Sequence, residues 1–195
     1  MITETLLISN ILKIKLHALE QDFKNINYCF PNIFEIDDKA FDYEIFYKKV
    51  DTIPNIYKIK DGIVTFPFRN SQYVVNRCND IVIAYAKKQK FSDENAIVRS
   101  NKLIEIFAKD DINQKNLIRL IRELIIRKLL EKKYFPLHAS CVVTENEAII
   151  YFGKKGSGKS TALFSNVLLT KSVPLSNDIT FIGKENNIWK AFGMS

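Results

Sequence analysis

Residues 148–164 read AIIYFGKKGSGKSTALF, which is an apolar run, then a loop rich in glycine and lysine, then a second apolar run. The first run is rich in β-forming residues and predicts a buried, central strand. Gly153, Gly156 and Gly158 predict a tight loop, because glycine adopts backbone conformations that other residues avoid. Thr161 begins a segment with helical character. The order strand, loop, helix is typical of the α/β class.

Residues 153–160 match the phosphate-binding pattern GxxxxGK[ST], the Walker A pattern. In such a loop, backbone N–H groups point inward and the following helix adds the partial positive charge of its N-terminus. Lys159 would then contact the β- and γ-phosphates of a nucleotide, and the Ser160 hydroxyl would bind Mg²⁺. The residues expected to bind the nucleotide are Gly153, Lys154, Lys155, Gly156, Ser157, Gly158, Lys159, Ser160 and Thr161.

Two further segments flank this loop: LHAS at residues 137–140 and SND at residues 176–178. Together with the loop they resemble the catalytic domain of the HPr kinase/phosphorylase family, which shares its nucleotide-binding fold with phosphoenolpyruvate carboxykinase. The resemblance covers residues 113–192, and LHAS and SND carry it because the loop is generic. It implies an α/β P-loop domain and an Mg²⁺-dependent ATP kinase. Stand-alone relatives imply a serine of a peptide or small protein as the phosphate acceptor.

The same resemblance implies roles for three residues outside the loop. Asp178 matches the second acidic position of the family and would bind Mg²⁺ together with Ser160. His138 matches the family histidine near the phosphates, although a hydrogen-bonded strand histidine is an equally good interpretation. Asn177 is a departure, because phosphorylating members often carry an Asp there as the base, and Asn cannot accept a proton at neutral pH. The expected catalytic residues are Asp178, His138 and Asn177.

The first hundred residues read mostly as strands and turns. Residues 12–16 alternate between apolar and basic side chains, which predicts a strand with one buried face. Residues 55–66 predict a hairpin with Asp61 and Gly62 at its turn. We therefore expect residues 1–110 to form a small, antiparallel, β-rich module in front of the P-loop domain.

Residues 113–133 predict a helix, since apolar residues recur there every three or four positions. Asn113 or Asp111 can cap its start. We expect residues 111–195 to form the kinase-like domain, with residues 175–182 as one continuous strand. The resemblance implies more strands after the SND segment than this chain offers, so the domain is expected to be short or incomplete at its C-terminal end.

Composition narrows the possible partners and the cellular location. The chain has 29 Lys and Arg against 22 Asp and Glu, a net charge of +7, which favours an anionic partner. Cys29, Cys78 and Cys141 form no CxxC pair, so a zinc site of the usual spacing is excluded, and an odd number of cysteines suits the cytosol. No segment reaches the roughly 18 apolar residues of a membrane span. We expect a cytoplasmic protein without membrane contact; the sequence carries no RNA- or DNA-binding signature, and homo-oligomerisation stays open.

Three functions are compatible with these features. The first is the serine kinase. The second is a non-catalytic or weakly active nucleotide-binding module that regulates or scaffolds a partner, which Asn177 and the short C-terminal part favour. The third is a P-loop ATPase coupled to nucleic acid, which only the positive charge supports.

Overall fold

The computed structural model of the chain is mostly β, with 49% strand and 23% helix. The chain divides into two units, Met1–Ile125 and Ile126–Ser195. The residues that the structure describes are 1–30, 33–36, 40–68, 71–88, 93–111, 114–145 and 147–194.

In the first unit, the described residues form a single nine-stranded sheet. Its strands are β1 (Ile2–Ile8), β2 (Leu12–Ala18), β3 (Ile33–Glu35), β4 (Tyr43–Lys49), β5 (Ile63–Phe68), β6 (Ser71–Cys78), β7 (Ile81–Ala86), β8 (Asn95–Ser100) and β9 (Leu103–Ala108). They lie in the order β3-β1-β2-β4-β9-β8-β7-β6-β5, and β4 is parallel to both of its neighbours. The nine strands lie within residues 1–110, the range expected to be β-rich, but they form a large mixed sheet instead of the small antiparallel one expected.

Helix α1 (Glu20–Cys29) explains one of the parallel pairs, because it lies in the crossover between β2 and β4 that parallel strands require. Few of its residues are apolar, and only Phe23, Ile26 and Asp22 are buried. The Asp22 carboxylate lies 2.7 Å from Lys49 Nζ at the end of β4. This helix was not predicted from the sequence because it is only ten residues long and has few apolar residues.

Strand β2 confirms the alternation seen in the sequence. Leu12, Ile14 and Leu16 are fully buried, whereas Lys13 and Lys15 between them are partly exposed. This buried face belongs to the core of the first unit.

The hairpin expected at residues 55–66 is wrong. Asn55–Tyr57 is one turn of 3-10 helix, and β5 pairs instead with β6, the strand that follows it. Tyr57 packs on the sheet, with its ring centroid 4.9 Å from that of Phe107 in β9, and Ile53 belongs to the same buried cluster. The segment before β5 therefore covers the sheet instead of extending it.

Helix α2 (Lys115–Glu131) lies within the range predicted for it, and the division between the two units falls inside it. Asp111 caps its start, since the carboxylate accepts hydrogen bonds from the backbone N–H groups of Lys115 and Asn116. The alternative cap, Asn113, lies outside the described residues. No helix in the described part of the chain is long and apolar enough to cross a membrane.

The second unit contains a five-stranded sheet and one further helix among its described residues. These elements are β10 (Phe135–Thr144), β11 (Glu147–Phe152), α3 (Lys159–Leu169), β12 (Val173–Ser176), β13 (Ile179–Glu185) and β14 (Ile188–Met194). The order is β11-β10-β13-β14, and β12 also pairs with β10. Strand β10 is thus central, with β11 on one side and β12 and β13 on the other.

The expected α/β P-loop domain of the HPr kinase type is wrong as a fold class, because the chain is mostly β and its strands form two sheets. In the second sheet, the described strand pairs are all antiparallel. Strands β11 and β12 flank β10 on opposite sides. The connection through α3 therefore passes over β10, and β12 does not become a parallel neighbour of β11. Strand β11 is also at the end of the sheet and not central. Residue patterns predict individual strands and helices. They do not predict that β10 lies between β11 and β12 in the sheet.

Candidate functional site

The glycine-rich loop joins β11 to α3, in the order that its pattern predicts. Helix α3 begins at Lys159, two residues before the predicted start, and Gly158 is its N-cap residue with φ +83°. Gly156 has φ +82°. These left-handed conformations cost a residue with a side chain about 1–2 kcal/mol, which accounts for glycine at both positions.

The loop closes around the side chain of Lys159. The ammonium group donates to the backbone carbonyl oxygens of Gly153 at 3.0 Å and Lys154 at 3.3 Å. The backbone N–H of Ser157 also donates to the Lys154 carbonyl, at 3.1 Å. A Cβ atom on Gly153 would lie 2.7 Å from Ser157 Oγ, so a larger residue there would require the Ser157 side chain to move. The loop therefore holds the lysine charge at the N-terminus of α3.

The segment predicted as one strand at residues 175–182 is interrupted. Strand β12 ends at Ser176, β13 begins at Ile179, and Asn177 and Asp178 form an exposed corner between them. The register along β10 is the same on both sides of the interruption, with Ser176 opposite Cys141 and Ile179 opposite His138, so the break is local to the two corner residues.

Strand β10 holds this corner through contacts that join residues about forty positions apart. The backbone N–H of Ala139 donates to the Asp178 carbonyl oxygen at 3.2 Å. His138 Nδ1 lies 3.1 Å from the same carbonyl oxygen and 3.0 Å from Asp178 Oδ1. His138 is therefore a hydrogen-bonded strand histidine that also contacts the predicted acidic residue.

Three buried hydroxyl groups lie near the corner, and of these three the Ser140 hydroxyl contacts Asn177 directly. Ser140 Oγ donates to Asn177, with its carbonyl oxygen at 3.3 Å and its Oδ1 at 3.2 Å. Thr180 Oγ1 donates to the Ala139 carbonyl oxygen at 3.2 Å and also contacts the hydroxyl of Ser176. Ser140 and Thr180 have no exposed surface, and Ser176 is 4% exposed. The signal in the sequence was the placement of hydroxyl residues inside otherwise apolar strands.

The loop and the corner meet at one pocket of about 510 Å³. It is lined by His138, Lys155, Gly156, Gly158, Lys159, Ser160, Thr161, Asn177 and Asp178. The structure thus brings together all the predicted site residues except Gly153, Lys154 and Ser157, which lie elsewhere in the loop. The pocket lies entirely within the second unit.

The charges that line the pocket favour an anionic ligand. Lys155 and Lys159 are both cationic, whereas Asp178 is the only carboxylate among the lining residues. The helix N-terminus at Lys159 adds to the positive potential. The pocket is therefore suited to phosphate groups.

Oxygen ligands for a cation line the same pocket. Ser160 offers a hydroxyl and Asp178 a carboxylate, which are the ligand types that Mg²⁺ prefers. Among the described residues no three His, Cys, Asp or Glu side chains are grouped as a metal cage. Mg²⁺ in nucleotide sites is usually bound by one or two protein ligands plus phosphates and water, so Ser160 and Asp178 are a fitting pair.

Comparisons of the chain with protein-family models, with curated proteins and with solved structures found no match. The function must therefore be inferred from the pocket and from the segments that line it.

Proposed function

We propose that the protein binds ATP with Mg²⁺ and transfers the γ-phosphoryl group to a serine hydroxyl of a peptide or small protein. One observation carries the proposal: the Walker A loop, His138 and the corner Asn177–Asp178 line a single pocket. The three segments that resemble the HPr kinase family are therefore adjacent in space as well as in order along the chain. The resemblance supports the activity and the substrate class, not the fold class.

Phosphate binding follows from the physical chemistry of the loop. Backbone N–H groups at the start of α3, together with its helix dipole, stabilise a negative charge placed at Gly158. Lys159 supplies a full positive charge at the same place. Phosphoryl transfer depends mainly on positioning and on neutralising charge, and these groups provide both.

The metal ion has a defined place in this proposal. Ser160 and Asp178 would hold Mg²⁺ against the phosphates, and the ion would neutralise charge there. His138 contacts Asp178 and so orients its carboxylate. Asp178 is also the carboxylate at the corner that can accept a proton from the acceptor hydroxyl, because Asn177 cannot.

A second candidate function is a nucleotide-binding module that regulates or scaffolds a partner and turns over ATP slowly or not at all. Asn177 favours it, since this corner residue lines the pocket but lacks the basicity of an aspartate. Both candidates bind a nucleotide in the same pocket and differ only in transfer. Three free cysteines favour a reducing compartment for either, and we place the protein in the cytoplasm.

The deciding experiment measures ATP binding and phosphoryl transfer separately. Wild-type protein is titrated with ATP and Mg²⁺ by calorimetry and then incubated with labelled ATP and serine-containing peptides. Lys159→Ala should abolish both signals, whereas Lys171→Ala should change neither, because Lys171 is exposed outside the pocket. Binding without transfer would refute the kinase and leave the regulatory module. Absence of binding would refute both.

A further inference from the structure

The corner Asn177–Asp178 is fixed by a residue beneath the pocket. Ser140 has no exposed surface, and its hydroxyl is the group that reaches the Asn177 side chain, with Oγ 3.2 Å from Oδ1. The same hydroxyl lies 3.3 Å from the backbone carbonyl oxygen of Asn177. The single hydroxyl hydrogen of Ser140 is thus shared between the backbone carbonyl oxygen and the side-chain oxygen of Asn177.

This contact determines which end of the carboxamide faces the pocket. A serine hydroxyl donates one hydrogen, and Asn offers one acceptor oxygen and one NH₂ group with two donors. With Oδ1 occupied by Ser140, the NH₂ group of Asn177 is the end left for the pocket that this residue lines. An aspartate at the same position would present only acceptor oxygens and a negative charge.

We propose that Ser140 is a positioning residue that holds Asn177 with its NH₂ group toward the phosphates, so that Asn177 donates a hydrogen bond to the bound anion. This rests on the proposed function, since it requires a phosphate ligand in the pocket. It gives the departure at Asn177 a physical purpose: the residue contributes to binding the ligand instead of accepting a proton. The donor adds to the charge of Lys155 and Lys159 on the same pocket.

The test is a double-mutant cycle on ATP–Mg²⁺ affinity measured by calorimetry. Asn177→Ala and Ser140→Ala should each weaken binding by about 3- to 10-fold, the range expected from a single hydrogen bond. The double variant should be no weaker than Asn177→Ala alone, because the proposed effect of Ser140 on the ligand passes through the Asn177 carboxamide and not through the bond to its backbone carbonyl oxygen. Asn177→Asp should also weaken binding, since it keeps the contact with Ser140 but loses the donor.

Ser176→Ala is the matched control. It also removes a buried hydroxyl from beneath the corner, but this hydroxyl contacts Thr180 and not Asn177. Its thermal stability should fall while its ATP affinity stays at the wild-type value. A Ser140 hydroxyl that acted only by stabilising the fold would give the same pattern as Ser176.

Two results would overturn the proposal when every variant folds. The first is wild-type affinity in Asn177→Ala or in folded Ser140→Ala. The second is an additive loss in the double variant. Should Ser140→Ala fail to fold, the exposed Asn177→Ala and Asn177→Asp variants still decide, and full affinity in either contradicts a donor role. If the wild-type protein binds no ATP, the proposed function fails together with this inference. If the wild type binds ATP and the variants bind it equally well, only this inference fails.

Discussion

Asp111→Ala is predicted to destabilise the first unit by about 3 kcal/mol. The carboxylate is 2% exposed and accepts the backbone N–H groups of Lys115 at 2.9 Å and Asn116 at 3.2 Å. Loss of such a helix cap costs about 1 kcal/mol. The carboxylate also accepts the hydroxyl of Tyr47 at 3.0 Å, and Tyr47 is itself buried. Leaving that hydroxyl without a partner costs about 2 kcal/mol more.

Thermal unfolding followed by circular dichroism measures this loss. For a chain of this size, about 3 kcal/mol corresponds to a fall of roughly 6–12 °C in the midpoint of the affected transition. Asp110→Asn is the control, because Asp110 is the exposed neighbour whose ion pair with Lys88 spans 3.5 Å, and Asn tolerates its left-handed φ of +57°. Exposed pairs of this kind contribute about 0–1 kcal/mol.

The reasoning would be refuted if the two variants lost similar stability. A fall of less than about 3 °C for Asp111→Ala would also refute it. The cap of α2 and the Tyr47 hydroxyl could not then both depend on the Asp111 carboxylate. Asp111→Asn provides an intermediate case, since it keeps one acceptor oxygen at the start of α2. Its stability is expected between those of Asp111→Ala and the wild type.

Three further predictions concern the loop, the pH dependence and the corner. Gly158→Ala should cost about 1–2 kcal/mol in unfolding experiments, because its φ of +83° is left-handed, and it should also weaken ATP binding; unchanged stability would contradict the assigned conformation. The pKa of Glu44 is lowered below its ordinary value of 4.5, chiefly by its hydrogen bond to His17, so the stability it contributes is present above that pH and is lost as the pH falls through the lowered pKa. Glu44→Gln should therefore flatten the acid loss of stability in urea titrations at successive pH values, and an unaltered slope would count against this. Asn177→Asp should weaken ATP binding yet raise phosphoryl transfer by tenfold or more, in the range of a general base; a kinase assay with no gain would count against a proton-transfer role at this position.

Features set by neighbouring residues in the sequence could be predicted, and the reason is physical. The loop at residues 153–160 depends on its own glycines, and Asp111 caps a helix that starts four residues later. The alternation in β2 follows directly from the period of a strand. The contact between His138 and Asp178, by contrast, joins residues forty positions apart. Only the resemblance of the motifs suggested that these residues belong together.

The fold class could not be predicted, because it depends on pairings that leave no local pattern. The loop predicts a strand and a helix equally well whether the strand after the helix lies beside the first strand or is separated from it by another strand. In this chain the next strand, β12, pairs with β10, on the side opposite β11. Helix α1 was missed for another reason, because it is ten residues long and few of them are apolar.

The register of β10 places the residues that contact the corner on one face of the strand, next to the pocket. His138 and Ser140 are two residues apart and so lie on the same face of the strand. His138 is opposite Ile179 in β13, and Ser140 is opposite Tyr151 in β11, so both neighbouring strands set the same register. A slip of one residue would turn both side chains to the opposite face and separate the corner from its support. The Walker A residues therefore form their loop from local sequence alone. The pocket also requires the side-chain alternation of the LHAS segment in β10. Both sequence features are needed to predict the pocket.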